Sequence, residues 1–177
     1  MIENNMNIRV ARIKDLEMMV EIYNQAISAG EKTADITPFT AAERINWFEE
    51  HTPEKYPILV AVKNNSIVGY LTISAYRPGR MALSKTAEVS CYIHFKHHCQ
   101  GIASRLLRHA VRLSPSLQVK NLLAIVIDTN QASIRFLEKH GFERWGHLPG
   151  VGEFHGNEVG HLYYGLRIRG DDDGSRS

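Results

Sequence analysis

Hydrophobic and polar residues alternate along residues 86–95, and the alternation changes to a helical period after Gly101. The two sides of the alternation are Ala87, Val89, Cys91, Ile93 and Phe95 against Thr86, Glu88, Ser90, Tyr92 and His94. A period of two is typical of a half-buried strand, and apolar residues three and four apart predict an amphipathic helix. The N–H groups of a helix's first turn have no helical partner, so a glycine-containing loop before a helix favours binding of a phosphate.

The rest of the pattern predicts a mixed α/β (α+β) layer of about seven strands and about four helices. The predicted strands span residues 7–12, 57–62, 67–75, 86–95, 122–128, 141–154 and 158–168. Three helices are predicted at N-caps or capping boxes, beginning at Asp15, at Thr40 with Glu43, and at Asn130. The fourth follows Gly101, and Gly141 is expected to end the helix over residues 132–140.

Composition narrows the functional classes. A chain of 177 residues without a shift in composition predicts a single domain, residues 1–169, with a flexible acidic tail over 170–177. The formal charge of +2 argues against a polybasic surface for nucleic acid or membrane. Two cysteines are too few for a disulfide framework, and no apolar run reaches 18 residues, so we expect a cytoplasmic protein. The run of residues 96–99 has no second cluster of metal ligands, and we predict no metal site.

Two motifs resemble those of the GCN5-related N-acetyltransferases. The segment HHCQGIA, between the predicted strand and helix, is similar to the acyl-CoA loop of that superfamily, and NQASIRFLEKHGF, residues 130–142, is similar to its second signature. The segments TAEVSCYI and EKHGFERWGHLPGVG, together with the HG turn, are most similar to the phosphinothricin and methionine sulfoximine acetyltransferases. The likeness extends over residues 7–168.

The resemblance implies acetyl-CoA as the donor and a primary amine as the acceptor. It also implies a centrally splayed sheet, in which the strand over residues 88–95 and its parallel neighbour over 122–128 separate to admit the pantetheine arm. The cofactor-binding residues implied in this way are Cys91, Tyr92, Ile93, His98, Cys99, Gln100, Gly101, Ile102, Ala103, Ser104, Asn130 and Ser133. His98 and Cys99 depart from the basic residues that are usual in this loop.

Acetyl transfer from a thioester to an amine needs a base, an oxyanion donor and a proton for the departing thiolate. Glu88 is the candidate base, because it lies on the polar side of the strand and matches the acidic residue of the family's A-E-x-S segment. The family's acid, a Tyr or a His, corresponds here to Leu137, which cannot donate a proton. Tyr92 is therefore the candidate acid, with Tyr163 and Tyr164 as alternatives, and a thiolate leaving into water needs no acid.

The expected acceptor is a small amine, an amino acid or an analogue such as phosphinothricin. Arg77, Arg80 and Lys85 are the candidates for its acidic group, since guanidinium and ammonium groups bind carboxylates. Residues 158–160 differ from the subgroup's usual aromatic and Asp. Two alternatives stay open: a non-catalytic acyl-CoA sensor or interaction domain, and an acetyltransferase for a polyamine or protein amine. A homodimer is also expected.

Overall fold

The computed structural model describes residues 6–168, so the predicted flexible tail, residues 170–177, lies outside the described residues. The strands are β1 (Met6–Val10), β2 (Ile58–Lys63), β3 (Ser66–Ala75), β4 (Thr86–Ile93), β5 (Asn121–Ile127), β6 (Glu143–Phe154) and β7 (Asn157–Arg167). The helices are α1 (Leu16–Ser28), α2 (Ile45–Glu49), α3 (Ile102–Leu113) and α4 (Gln131–Lys139). Over residues 6–168, each helix is too short or too polar to cross a bilayer.

The strands form one mixed sheet in the order β1-β2-β3-β4-β5-β7-β6. Every neighbouring pair is antiparallel except β4 and β5, which are parallel. Helices α1 and α2 cover one face, around Met19, Ile22 and Tyr70, and α3 and α4 cover the other, around Leu106 and Leu137. The predicted fold class, strand number and helix number are confirmed.

Local signals placed most element boundaries correctly. Thr40 and Glu43 form the predicted capping box, with the Thr40 N–H donating to Glu43 Oε2 over 2.7 Å. Gly141 adopts the left-handed conformation expected after a helix, with φ +80°. The carbonyl of the Asn130 side chain accepts from the N–H of Ser133 at the start of α4. These interactions satisfy groups that a helix end leaves unpaired.

Two boundary predictions are wrong. The strand predicted over residues 86–95 ends at Ile93, because residues 95–97 form a 3₁₀ turn in which the N–H of Lys96 donates to the His94 ring. Phe95 is therefore 56% exposed instead of facing the core. Asp15 does not cap α1 with its side chain. Its buried carboxylate pairs with Arg9 at 2.6 Å and accepts from the N–H of Arg12 at 2.7 Å.

Candidate active site

The parallel strands β4 and β5 pair only at their beginnings. The paired residues are Thr86 with Asn121, Ala87 with Leu122, and Glu88 with Leu123. Beyond Glu88, β4 stays paired with β3 as far as Ile93, while β5 stays paired with β7. The two strands thus separate at the centre of the sheet, and the main chain of β4 after Glu88 presents an edge without a β5 partner.

A cleft of about 350 Å³ fills this separation and passes through the sheet. Its walls include Val89 and Cys91, which point to the α3 face, and also Glu88 and Tyr92, which point to the α1 face. Adjacent residues of a strand point to opposite faces, so only a gap between strands is lined by both sets. The cleft can therefore be reached from both faces of the sheet, and its size suits a small ligand or an extended arm.

The N-terminus of α3 lies beyond the end of β4. Gly101, its N-cap, has φ +75° and provides no side-chain cap, so the first-turn N–H groups stay available for a ligand. A Cβ added at Gly101 would have no atom within 4 Å. Backbone donors, open space and the positive end of the helix dipole together suit a phosphate or pyrophosphate.

The loop between β4 and α3 holds its side chains by local hydrogen bonds. His98 Nε2 lies 2.9 Å from the carbonyl oxygen of Ile93, so this nitrogen carries the proton and donates it. Gln100 accepts from Lys63 and donates to the Lys96 carbonyl. Cys99 is exposed and has φ +59°. His98 thus stabilises the end of β4 through Nε2. The two left-handed residues of the loop, Cys99 and Gly101, are both exposed.

Glu88 occupies the point where the strands begin to separate. Its side chain lines the cleft on the α1 face, and burial raises the pKa of its carboxyl group above the ordinary 4.5. A carboxylate with a raised pKa is better matched to accepting a proton from an amine near neutral pH. Ser90 and Tyr92 continue the same face of β4 along the cleft.

A hydroxyl network forms the wall opposite Glu88, and the sequence did not single out its members. The hydroxyl of Tyr23 in α1 lies 2.7 Å from Thr33 Oγ1 and also donates to Asp35. The rings of Tyr23 and Tyr92 meet edge to face, with centroids 4.9 Å apart. Burial raises the pKa of Tyr92, which keeps its hydroxyl neutral. The sequence offers one signal here: residues 28–39 lack clear periodicity and carry Gly30 and Pro38, which predicts a loop, and the part over residues 31–39 is expected to contact the acceptor, with no single residue named.

Helix α4 forms the remaining wall through Asn130, Ser133, Phe136 and Leu137. Asn130 is buried although polar, and its N-cap bond to Ser133 accounts for that. Leu137, in contrast, presents only methyl groups to the cleft. Near the same end, Thr129 Oγ1 donates to Glu31 over 2.6 Å, which ties the loop after α1 to the turn between β5 and α4.

The model of the Acetyltransferase (GNAT) family matches residues 16–142, which include α1, the splayed strands and α4. The chain belongs to this family. The match covers both elements that meet at the cleft, β4 with its following loop and α4 with its N-cap. The sequence resemblance to this family implied a splayed sheet, and the structure of the chain has one.

Named relatives include acetyltransferases of small amino-acid-like molecules. YwnH of Bacillus subtilis, provisionally named a phosphinothricin acetyltransferase, is 39% identical over 93% of this chain and 98% of its own. The L-methionine sulfoximine/L-methionine sulfone acetyltransferase of Pseudomonas aeruginosa is 30% identical over 83% of this chain and 86% of its own. The crystal structure of a phosphinothricin acetyltransferase from Sinorhizobium meliloti with acetyl-CoA has TM-score 0.86 and 27% identity, covering 92% and 88% of the two chains.

The predicted substrate-binding cations do not line this cleft. Arg77 and Arg80 lie along a separate hollow with Tyr56 at the beginning of β4, and Lys85 lines neither cavity. The reason is that β4 enters the sheet at its paired end, whereas the cleft opens towards the other end. The basic side chains that do line the cleft are Lys32 and His161.

The alternative tyrosines on β7 are also placed elsewhere. Tyr164 is buried and its hydroxyl donates to Glu138 over 2.8 Å, while Tyr163 does not line the cleft. Of the three tyrosines considered, Tyr92 alone lines the cleft. Over residues 6–168, no group of three or more His, Cys, Asp or Glu side chains could hold a metal ion.

Gly160 lies at a crowded point near the end of β5, where no side chain would fit without a shift of its neighbours. A Cβ at this position would overlap the Asp128 carboxylate, the His147 ring and the Leu148 carbonyl. Asp128 and His147 approach each other across this glycine, with Oδ2 and Nε2 3.1 Å apart. A larger residue at position 160 would separate the two side chains, so the glycine and this hydrogen-bonded pair belong to one local arrangement at the end of β5.

Proposed function

We propose that this acetyltransferase moves the acetyl group of acetyl-CoA to the primary amine of a small molecule, an amino acid or an analogue resembling phosphinothricin or methionine sulfoximine. The observation that carries the proposal is the cleft through the sheet, with a half-buried Glu88 on its wall, together with an uncapped helix N-terminus beyond the end of β4. The names of the relatives support the choice of acceptor. A cytoplasmic location and a homodimer stay predictions.

The residues present fit acetyl-CoA. The open N–H groups of residues 101–104 would receive the pyrophosphate, and the unpaired edge of β4 at Cys91, Tyr92 and Ile93 would bond the pantetheine amides as a neighbouring strand does. Asn130 and Ser133 would face the same arm from α4. The donor supplies the thioester carbonyl, and the chain supplies its position within the splay.

Glu88 acts as the base of a direct attack. An amino acid arrives as an ammonium ion, so one proton must leave before nitrogen can attack. Glu88 takes this proton, directly or through water, and a backbone N–H near Ser90–Tyr92 stabilises the oxyanion. The nitrogen then loses a second proton, and the departing thiolate gains one. Tyr92 is the candidate that gives its proton to the thiolate and takes the one from nitrogen, and Leu137 offers none.

The test is a screen for CoA release with amino acids, methionine sulfoximine, phosphinothricin, polyamines and peptides as acceptors, repeated with Glu88→Gln. We expect release with an amino-acid-like acceptor and a loss of at least ~100-fold in kcat/KM for Glu88→Gln. Glu143→Gln, on the exposed start of β6, is the matched control. Binding of acetyl-CoA without release for any acceptor would favour a sensor, and release with polyamines or peptides alone would change the acceptor class.

A further inference from the structure

A polar row lies behind Glu88, on the side of β4 away from the cleft. Ser74 of β3 is the residue directly opposite Glu88 in the antiparallel pairing. Its hydroxyl lies 2.9 Å from Nε2 of His51, which follows α2. Neither Ser74 nor His51 lines the cleft, so neither can touch the reactants there. The row therefore leads from the residue opposite the proposed base to the partly exposed His51, apart from the cleft.

The hydrogen bonds define the direction of this row. His51 Nδ1 lies 2.8 Å from the carbonyl oxygen of Trp47, and because a carbonyl only accepts, Nδ1 carries a proton. In the neutral ring, Nε2 is then an acceptor, and the Ser74 hydroxyl must donate to it. The lone pairs of Ser74 Oγ remain free to accept a proton from the direction of Glu88.

We propose that Ser74 and His51 form the exit through which Glu88 loses the proton taken from the substrate. Directly opposite residues of an antiparallel pair have Cβ atoms ~4.5–5.5 Å apart, so one water or a rotation of Glu88 joins its carboxyl group to Ser74 Oγ. The Glu88 O–H bond breaks towards Ser74, and the Ser74 proton moves to His51 Nε2. After this transfer the hydrogen bonds point the other way. The imidazolium Nε2–H donates a hydrogen bond to Ser74 Oγ, and the Ser74 hydroxyl donates one to the Glu88 carboxylate.

The proton balance of the reaction requires that Glu88 lose its proton after each turnover. An ammonium acceptor and a thioester give an amide, a thiol and one free proton, and the free proton is the one held by Glu88. Unless Glu88 is deprotonated again, a second turnover has no base. His51 is partly exposed. When the imidazolium turns away from Ser74, its Nε2 proton passes to water, and the neutral ring returns with its proton on Nδ1 as before.

The surroundings of His51 suit a transient acceptor. Burial lowers its pKa below the ordinary 6.5, Arg44 lowers it further, and the Trp47 carbonyl and Glu50 oppose this. Arg44 lies over the Trp47 ring at 4.0 Å, and that ring lies 4.9 Å from the His51 ring. On the other side, burial raises the pKa of Glu88. The two shifts bring the pKa values of donor and acceptor closer together, which favours transfer in both directions.

The inference rests on the proposed role of Glu88, and the test uses Ser74→Ala and His51→Gln. We expect each substitution to lower kcat at pH 7 by at least ~10-fold and to leave the KM for acetyl-CoA unchanged. This loss is smaller than the ~100-fold or more expected when the base itself is replaced in Glu88→Gln. The lost rate should return as imidazole buffer is raised at constant pH and ionic strength. Ser74→Ala removes only a hydroxyl and keeps the test valid if His51→Gln folds poorly.

His140→Gln is the matched control, because His140 also bonds the carbonyl four residues earlier through Nδ1, at 2.7 Å from Phe136. It should retain the wild-type rate and show no buffer response. Full rates for Ser74→Ala and His51→Gln, beside an inactive Glu88→Gln, would overturn the proton exit and leave the proposed function intact. A lower rate that buffer does not restore would also overturn it, as a structural effect. A fully active Glu88→Gln would overturn the base itself.

Discussion

Gly101 offers a quantitative test of the donor site, because backbone strain and ligand contact can be separated there. Its φ of +75° is left-handed, so any other residue costs ~1–2 kcal/mol in that conformation. In a chain of this size, each 1 kcal/mol lowers Tm by roughly 2–4 °C. The Cβ of Gly101→Leu would meet no atom within 4 Å in the free protein, so the substitution begins in open space. It would instead occupy the space through which the pyrophosphate approaches.

The predicted effect on acetyl-CoA is larger than the effect on stability. A hydrogen bond to a charged group contributes ~1.5–3 kcal/mol, so losing one or two bonds weakens binding ~10-fold to more than 1,000-fold. Gly79→Leu is the matched control, since Gly79 has φ +77° and the same open surroundings. Titration calorimetry and thermal melts should show a similar fall in Tm for both variants and weaker acetyl-CoA binding for Gly101→Leu alone. A less than threefold change for Gly101→Leu would refute the assignment.

Three shorter predictions concern other residues. Exposed Cys99 should be alkylated before Cys91, whose burial raises the pKa of its thiol to about 12, and acetyl-CoA should slow the alkylation of Cys99; mass spectrometry of the labelled protein tests both. Burial opposes the ionisation of Asp15, but Arg9 and a backbone N–H outweigh it and lower the pKa of the carboxyl group. The stability from this pair is present above pH ~4 and lost as the pH falls, so urea melts of Asp15→Asn and wild type should converge in acid. Lys32→Ala should raise KM for an amino acid more than KM for its amide in steady-state assays, and equal increases would argue against a carboxylate contact.

Periodicity and capping chemistry predict most of this fold because they are local. The alternation over residues 86–95 placed Glu88 and Tyr92 on one side of a strand, and they line the same cleft. The same alternation could not reveal that the chain turns after Ile93, since the sequence goes on alternating through His94 and Phe95 although the strand has ended. The pairing of Asp15 with Arg9 was hidden for another reason: Asp15 also satisfies every local criterion for an N-cap.

The candidate site was predictable on the donor side and less so on the acceptor side. The proposed donor site uses backbone N–H groups next to Gly101, and a glycine before an amphipathic helix is visible in the sequence. The proposed acceptor wall consists of Tyr23, Thr33 and Asp35, which lie in a helix stripe and an aperiodic loop. Tyr23 reads as a core residue and is one, but its hydroxyl reaches the cleft. Only the tertiary structure brings that hydroxyl to Tyr92.

The cleft has one further consequence, for inhibition. Under the proposed function, the two reactants would approach the opening between β4 and β5 from opposite faces, and neither would have to leave before the other arrives. A bisubstrate analogue, with the acceptor nitrogen joined to the CoA sulfur by a two-carbon bridge, could thread the sheet and occupy both halves together. Once one half is bound, the tether holds the other half at a high effective concentration near its own part of the cleft. Such a molecule should therefore bind more tightly than either fragment. Removing the bridge should return the affinity to that of the separate fragments.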